Sequence, residues 1–115
     1  MTTRKLQSLL AKWQKILRLQ DWDVTIGFKR YNFFNSEYNT AKTVFREAIK
    51  TADVFIMAEI DRFDANLSKD IELDVVHELI HLHTMTFGDE DYRLSEEQAT
   101  EAMAKAFIGL DRAKK

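Results

Sequence analysis

The spacing of apolar residues predicts a helix followed by several short strands in the first half of the chain. Over residues 3–19 apolar side chains recur every three or four positions, with lysine and arginine between them, as in an amphipathic helix packed on a core. Over residues 22–28 apolar and polar residues alternate, which predicts a half-buried strand. Residues 29–40 lack periodicity and are expected to be a loop. Two further strands are predicted, a weakly alternating one over residues 42–49 and a more apolar one over residues 53–60.

The second half of the chain predicts two helices. Residues 69–87 are apolar nearly all round, which is typical of a central, buried helix, and Gly88 is a natural end for it. Ser95, followed by two glutamates, is expected to open a last helix that is rich in alanine and can approach a neighbour closely. The order of helix, strands and two helices predicts an α+β fold, with residues 1–115 forming a single domain.

Composition and charge restrict the classes of function. The chain has 115 residues, of which 45% are hydrophobic and 31% charged, as expected for one small globular domain. A net charge of −2 argues against binding to nucleic acid or to an anionic membrane, and no stretch reaches the roughly 18 apolar residues of a membrane span. Lys12, Lys15 and Arg18 interrupt any export signal in the first helix, so a cytoplasmic location is expected. There is no cysteine, so a transition metal would need His, Asp and Glu as ligands.

All three histidines of the chain lie in one seven-residue stretch, residues 77–83, inside the predicted apolar helix. His77 and His81 are four residues apart, so on a helix they share one face and both imidazoles can bind the same ion. Glu78 is offset by about 100°, which puts its carboxylate beside the ion, where it can take a proton from metal-bound water. The alternative is a core helix whose histidines form hydrogen bonds without metal. Burying these groups without partners would be costly, which favours metal binding.

The sequence His77-Glu78-Leu79-Ile80-His81 resembles the H-E-x-x-H motif of zincin metallopeptidases, in particular the very small ones carried by bacteria, phages and mobile elements. The strand predicted over residues 53–60, the segment 19–23 after the first helix and the acidic helix start at residues 96–97 extend the resemblance over most of the chain. The resemblance implies a minimal zincin-like fold that binds Zn²⁺, with a small mixed sheet against the motif helix. It also implies a peptide substrate whose main chain lies along the edge strand.

A hydrolytic zinc site needs a third protein ligand, which in the gluzincin branch of the zincins is a glutamate on a later helix. The candidates are Glu96, Glu97 and Glu101. Glu97 is preferred because Glu101 follows it by four residues, which resembles the gluzincin arrangement of a ligand followed by a second carboxylate that orients a ligand histidine. Glu96, however, projects towards the apolar stripe of the last helix and is the more inward of the three by position.

Other polar residues near the motif are expected to have structural or surface roles. His83 lies about 200° round the helix from His81, so it cannot bind the same ion and is expected to be structural. Metzincins would have their third histidine where this chain has Phe87, which excludes that subclass. Asp74 could accept a hydrogen bond from His77 but is expected to be solvated. The candidates for an oxyanion donor, among which the sequence does not choose, are Tyr31, Tyr38, Tyr92 and Arg93.

The sequence therefore predicts a small cytoplasmic zinc metallopeptidase. His77, His81 and Glu97 are expected to bind Zn²⁺, and Glu78 is expected to be the catalytic base acting on a protein or peptide substrate, with no nucleic-acid or membrane partner. One alternative is a catalytically silent, zinc-stabilised protein-interaction module, because so short a chain leaves little room for specificity pockets. Another is a metal-free inhibitor or scaffold domain. The substrate, the cleavage preference and the oligomeric state are not specified by the sequence.

Overall fold

The computed structural model describes residues 1–34, 40–62, 70–84 and 93–114, with the backbone alone for residues 93–95. These residues form three α-helices and three β-strands, so the predicted α+β class is confirmed. In chain order the elements are α1 (Thr3–Ile16), β1 (Asp23–Lys29), β2 (Ala41–Arg46), β3 (Thr51–Met57), α2 (Ile71–Thr84) and α3 (Arg93–Ala113). No helix in the described part of the chain is both long and apolar enough to cross a membrane.

The three strands form a mixed sheet in the order β1-β3-β2. β1 runs parallel to β3, with Asp23 opposite Thr51, and β2 runs antiparallel to β3, with Ala41 opposite Ile56. β3 therefore lies in the middle, and its alternate residues Ala52, Val54 and Ile56 are buried. β2 is an edge strand of the described sheet and contacts α2, which places an edge beside the motif helix.

The hydrophobic core lies between the sheet and the helices α1 and α2. Both tryptophans belong to it, Trp13 with 1% and Trp22 with 6% of its surface exposed. Trp13 also donates a hydrogen bond from its indole nitrogen to Glu72 on α2, at 2.7 Å, which satisfies the polar atom of the ring. The core residues contributed by α1, β3 and α2 include Leu6, Leu10, Trp13, Val54, Ile56, Val75, Val76 and Leu79.

α2 is buried along most of its length, as its apolar sequence predicts. Val75, Val76 and Leu79 are fully inaccessible to solvent. α3 packs against α2, and its residues Ala104 and Ile108 are buried in the core.

Several element boundaries differ from the sequence predictions. α1 ends at Ile16 because Arg18 adopts a left-handed conformation with φ of 57°, and the amide of Leu19 bonds back to the carbonyl of Gln14. The strand predicted over residues 42–49 stops at Arg46 and continues as a 3₁₀ turn. α3 begins at Arg93, two residues before the predicted start at Ser95. The predicted end of the motif helix at Gly88 lies outside the described residues.

Candidate metal centre

The helices α2 and α3 bring two histidines and one glutamate together. His77 and His81 lie on one face of α2, with ring centroids 4.9 Å apart. Glu97, near the start of α3, reaches both rings: its carboxylate oxygens lie 2.9 Å from Nε2 of His81 and 3.3 Å from Nε2 of His77. One donor atom from each of the three residues lies within 4.8 Å of the other two. The structure thus brings together the three residues that the sequence analysis selected as metal ligands.

A separate carboxylate holds the other nitrogen of each imidazole. Nδ1 of His77 donates a hydrogen bond to Glu101 at 2.8 Å, and Nδ1 of His81 donates one to Glu96 at 3.0 Å. Because a carboxylate only accepts, both Nδ1 atoms carry a proton and both Nε2 atoms face Glu97. This pairing fixes the ring orientation in the way that outer carboxylates do in histidine metal sites. The hydrogen bond between Glu101 and a histidine was anticipated from the sequence, whereas that between Glu96 and His81 was not.

Glu96 is fixed in turn by α2. The same carboxylate oxygen that accepts from His81 also accepts a hydrogen bond from the hydroxyl of Thr84, at 3.1 Å. Its side chain is only 12% exposed, compared with 51% for Glu97 and 41% for Glu101. Glu96 is therefore the most buried of the three glutamates, as its position on the helix predicted. It accepts a hydrogen bond from Nδ1 of His81, however, whereas Glu97 lies between the Nε2 atoms of the two rings.

The electrostatics of the three residues favour a positive charge between them. Burial lowers the pKa of His81, but hydrogen bonds to Glu97 and Glu96 and the charge of Glu78 outweigh it and raise the pKa to about 9. The pKa of His77 is also raised, and the hydrogen bonds from both imidazoles hold the pKa of Glu97 far below its usual range. Nε2 of His81 thus holds a proton at neutral pH, at the place where a divalent ion would replace it.

Glu78 occupies a different position from the three candidate ligands. Its side chain is 10% exposed, and one oxygen accepts a hydrogen bond from the hydroxyl of Thr43 on β2 at 2.6 Å. The other oxygen lies 4.0 Å from Nε2 of His77. Burial raises the pKa of this carboxyl, so that it is a better proton acceptor than an ordinary glutamate. Glu78 therefore lies between the edge strand and the imidazoles, where a proton acceptor is expected.

Two predictions about neighbouring residues have different outcomes. His83 donates a hydrogen bond from Nε2 to the carbonyl of Leu17 at 2.7 Å, which is a structural role, as predicted. The prediction that Asp74 is solvated is wrong, because it is buried and accepts hydrogen bonds from Arg62 at 2.7 Å and from Thr40 at 2.8 Å. Its partners Arg62 and Thr40 belong to other segments of the chain, so the residues around Asp74 in the sequence do not predict these hydrogen bonds.

The structure does not select an oxyanion donor. Tyr31 is exposed in a 3₁₀ turn after β1. Tyr38, Tyr92 and the side chain of Arg93 lie outside the described residues.

No family model, no curated protein and no solved structure matches this chain.

Proposed function

We propose that the chain is a zinc-dependent metallopeptidase that hydrolyses peptide bonds of a protein or peptide substrate. The observation that carries this proposal is the convergence of His77, His81 and Glu97 beside a buried carboxylate, Glu78, that is not one of the three. Zinc accepts imidazole nitrogen and carboxylate oxygen, and its hydrolytic sites have three protein ligands and one open position. The donor set is thus suited to zinc.

The residues around the three ligands have defined tasks in this proposal. Glu101 and Glu96 keep the Nε2 atoms of His77 and His81 directed at Glu97, so that little rearrangement is needed when an ion binds. When bound, zinc would act as a Lewis acid that polarises the scissile carbonyl and makes water nucleophilic near neutral pH. The ligands themselves exchange no protons with the substrate.

Glu78 is the proton carrier. Its carboxylate accepts a proton from water as the water oxygen bonds to the carbonyl carbon of the substrate. Glu78 then returns the proton to the nitrogen as the carbon–nitrogen bond breaks, which gives a free amine and a free carboxylic acid. The hydrogen bond from Thr43 limits the rotation of the Glu78 side chain, and the raised pKa brings its proton affinity closer to that needed near neutral pH.

The edge strand β2 is the proposed binding place for the substrate main chain. β2 has β3 as its neighbour on one side in the described sheet, and Thr43 on β2 contacts Glu78. A peptide that adds to this edge as a further strand would pass close to the proposed base, with its main-chain groups paired to those of β2. The cytoplasm as the place of action stays a prediction from the sequence.

The decisive experiment compares the wild type with Glu78→Gln and with Glu47→Gln as a matched control. Glu47 is an exposed glutamate in the turn after β2. Each protein is analysed for metal content by elemental analysis and then incubated with a proteome-derived peptide library, whose cleavage is followed by mass spectrometry. We expect all three proteins to bind one zinc ion, and we expect Glu78→Gln alone to lose hydrolysis by at least 100-fold.

Two results would contradict the proposal. Equal cleavage by wild type and Glu78→Gln would remove the proposed base. A wild type that binds one zinc ion but cleaves nothing, in the library or in the lysate of its own host, would favour a zinc-stabilised interaction module. In that case partner binding should depend on zinc and be the same in Glu78→Gln.

A further inference from the structure

A buried arginine joins the edge strand, the central strand and the motif helix. Arg62 is 3% exposed. It donates hydrogen bonds to the carbonyl of Met57 at the end of β3, at 2.8 Å, and to the carbonyl of Thr40 just before β2, at 3.2 Å. It also forms an ion pair with Asp74 on α2, at 2.7 Å. One guanidinium group thus contacts three different elements at the same end of the sheet.

Thr40 and Asp74 also contact each other. The hydroxyl of Thr40 donates to the carboxylate oxygen of Asp74 that accepts from Arg62, at 2.8 Å. The carbonyl of Thr40 in turn accepts from the amide of Met57 at 2.8 Å as well as from Arg62. The start of β2 is therefore bound to α2 and to β3 through a connected, buried polar network.

The edge strand is bound to the motif helix at two points, one helical turn apart. The first is Thr40 to Asp74 and the second is Thr43 to Glu78. Asp74 precedes His77 by three residues and Glu78 by four, so both points lie on the turn that begins the H-E-x-x-H motif. Two contacts on the same face restrict the rotation of the helix about its axis, and its distance from β2, more than either contact alone.

Small rotations of this helix matter for the site. A side-chain atom lies roughly 6 Å from the helix axis, so a rotation of about 10° moves it by about 1 Å. Functional groups have to be held within about 0.5 Å and 10–20° of their productive geometry. A buried ion pair adds little net stability compared with an apolar pair of the same volume, so stability alone does not account for Arg62 and Asp74.

We propose that Arg62 is a positioning residue that acts through Asp74 to hold α2 in the rotation at which His77, His81 and Glu78 meet β2 and α3. The hydrogen bonds of Arg62 described above go to Met57, Thr40 and Asp74 and not to these three residues. This inference rests on the proposed metal site, and it predicts that the geometry of that site depends on a residue outside it.

The test uses Arg62→Met, with Leu6→Ala as a control that is destabilised by a cavity in the core and changes no hydrogen-bonding group of the network. Leu6 lies on α1 and is fully buried. Zinc affinity is measured by competition with a chelating dye, and coordination geometry by the visible absorption spectrum of the cobalt(II)-loaded protein. All measurements are made at a temperature at which circular dichroism shows each variant fully folded. Because a fold that is merely weakened keeps its site, Leu6→Ala should retain the wild-type spectrum and a zinc affinity within two-fold.

We expect Arg62→Met to bind zinc about 10-fold more weakly and to have an altered cobalt spectrum. Arg62→Lys, which keeps the charge but not the forked geometry, should fall between Arg62→Met and the wild type. The double variant Arg62→Met/Asp74→Leu should regain melting temperature, because an apolar pair replaces the unpaired carboxylate, without regaining the wild-type spectrum.

The possible outcomes separate the inference from the proposed function. A wild type that binds neither zinc nor cobalt would refute the metal site and, with it, this inference. A wild type that binds both metals, together with wild-type affinity and spectrum in folded Arg62→Met, would refute the inference and leave the metal site intact. Recovery of the spectrum in the double variant would also refute it, since packing volume alone would then position the helix. If Arg62→Met does not fold, the zinc affinity and the cobalt spectrum of Arg62→Lys and of the double variant test the inference instead.

Discussion

Glu101 accepts a hydrogen bond from Nδ1 of His77 at 2.8 Å, four residues beyond Glu97 on the same side of α3. The bond leaves Nε2 of His77 directed at Glu97. A carboxylate in this position raises the basicity of the imidazole and limits its rotation, and both effects strengthen metal binding. The contact is therefore testable separately from the ligands themselves.

Glu101→Gln should weaken zinc binding without abolishing it. The amide keeps the size of the side chain but loses the negative charge, so we expect the dissociation constant for zinc to rise about 10- to 100-fold. Competition titration with a chelating dye measures it, and Glu47→Gln provides the control for loss of one surface charge. Unchanged affinity would mean that Glu101 does not orient His77 in the metal-bound protein.

His83→Ala should affect stability and leave zinc binding unchanged. The variant removes the hydrogen bond to the carbonyl of Leu17, which we expect to lower the free energy of unfolding by about 1 kcal/mol. Urea denaturation of the zinc-free protein measures this loss. His81→Ala, two residues away, should instead lose zinc. A His83→Ala protein without bound zinc would show that the third histidine takes part in the site.

Trp13→Phe should destabilise the protein, because it removes one hydrogen bond and leaves a small cavity in the core. The indole nitrogen donates to Glu72 at 2.7 Å, and hydrogen bonds to charged groups contribute about 1.5–3 kcal/mol, so we expect a loss of at least about 2 kcal/mol in the free energy of unfolding. Urea denaturation followed by circular dichroism measures it. A loss below about 0.5 kcal/mol would mean that Lys12, which also contacts Glu72, is sufficient to satisfy that carboxylate.

The stability of the zinc-free protein should fall between pH 6.5 and pH 9. The folded-state pKa of His81 is about 9, compared with 6.5 for an ordinary histidine. A raised pKa contributes stability that is fully present below pH 6.5 and is lost as the pH rises through 9. Melting curves in the presence of a chelator measure this fall.

Bound zinc should remove this pH dependence. Binding requires neutral Nε2 atoms on His77 and His81, so the affinity for zinc, and the increase in melting temperature that zinc causes, should grow over the same pH range. Parallel melting curves with and without zinc measure the difference. A zinc-induced increase that shrinks from pH 6.5 to pH 9 would contradict binding through these imidazoles.

The fold class and the main elements were predictable because each has a strong local signal. α2 is apolar all round and β1 alternates, so both elements lie close to where the periodicity indicated them. The end of α1 was not predictable, because the left-handed residue that ends it is Arg18, where a glycine would have marked the turn. Lys50 ends the turn after β2 in the same way, with φ of 52°.

The part of the candidate site that lies on a single helix was predictable from the sequence. The spacing of His77 and His81 fixes their shared face once α2 forms. The choice among Glu96, Glu97 and Glu101 depends on how α3 packs against α2, which no local pattern states. The burial of Asp74 depends on Arg62, which belongs to another segment of the chain. Contacts between segments, rather than the elements themselves, are what the sequence left open.

The two ends of α3 are attached to the rest of the molecule by different means. The C-terminal end is attached by ion pairs of Asp111 with Lys12 and of Arg112 with Asp70, while the N-terminal end meets α2 at the proposed metal ligands. In a chain without cysteine, a bound ion there would act as a reversible cross-link between α2 and α3. Its removal would leave the front half of α3 held to α2 by hydrogen bonds but not by the ion, so protease attack there should become faster well before the sheet opens.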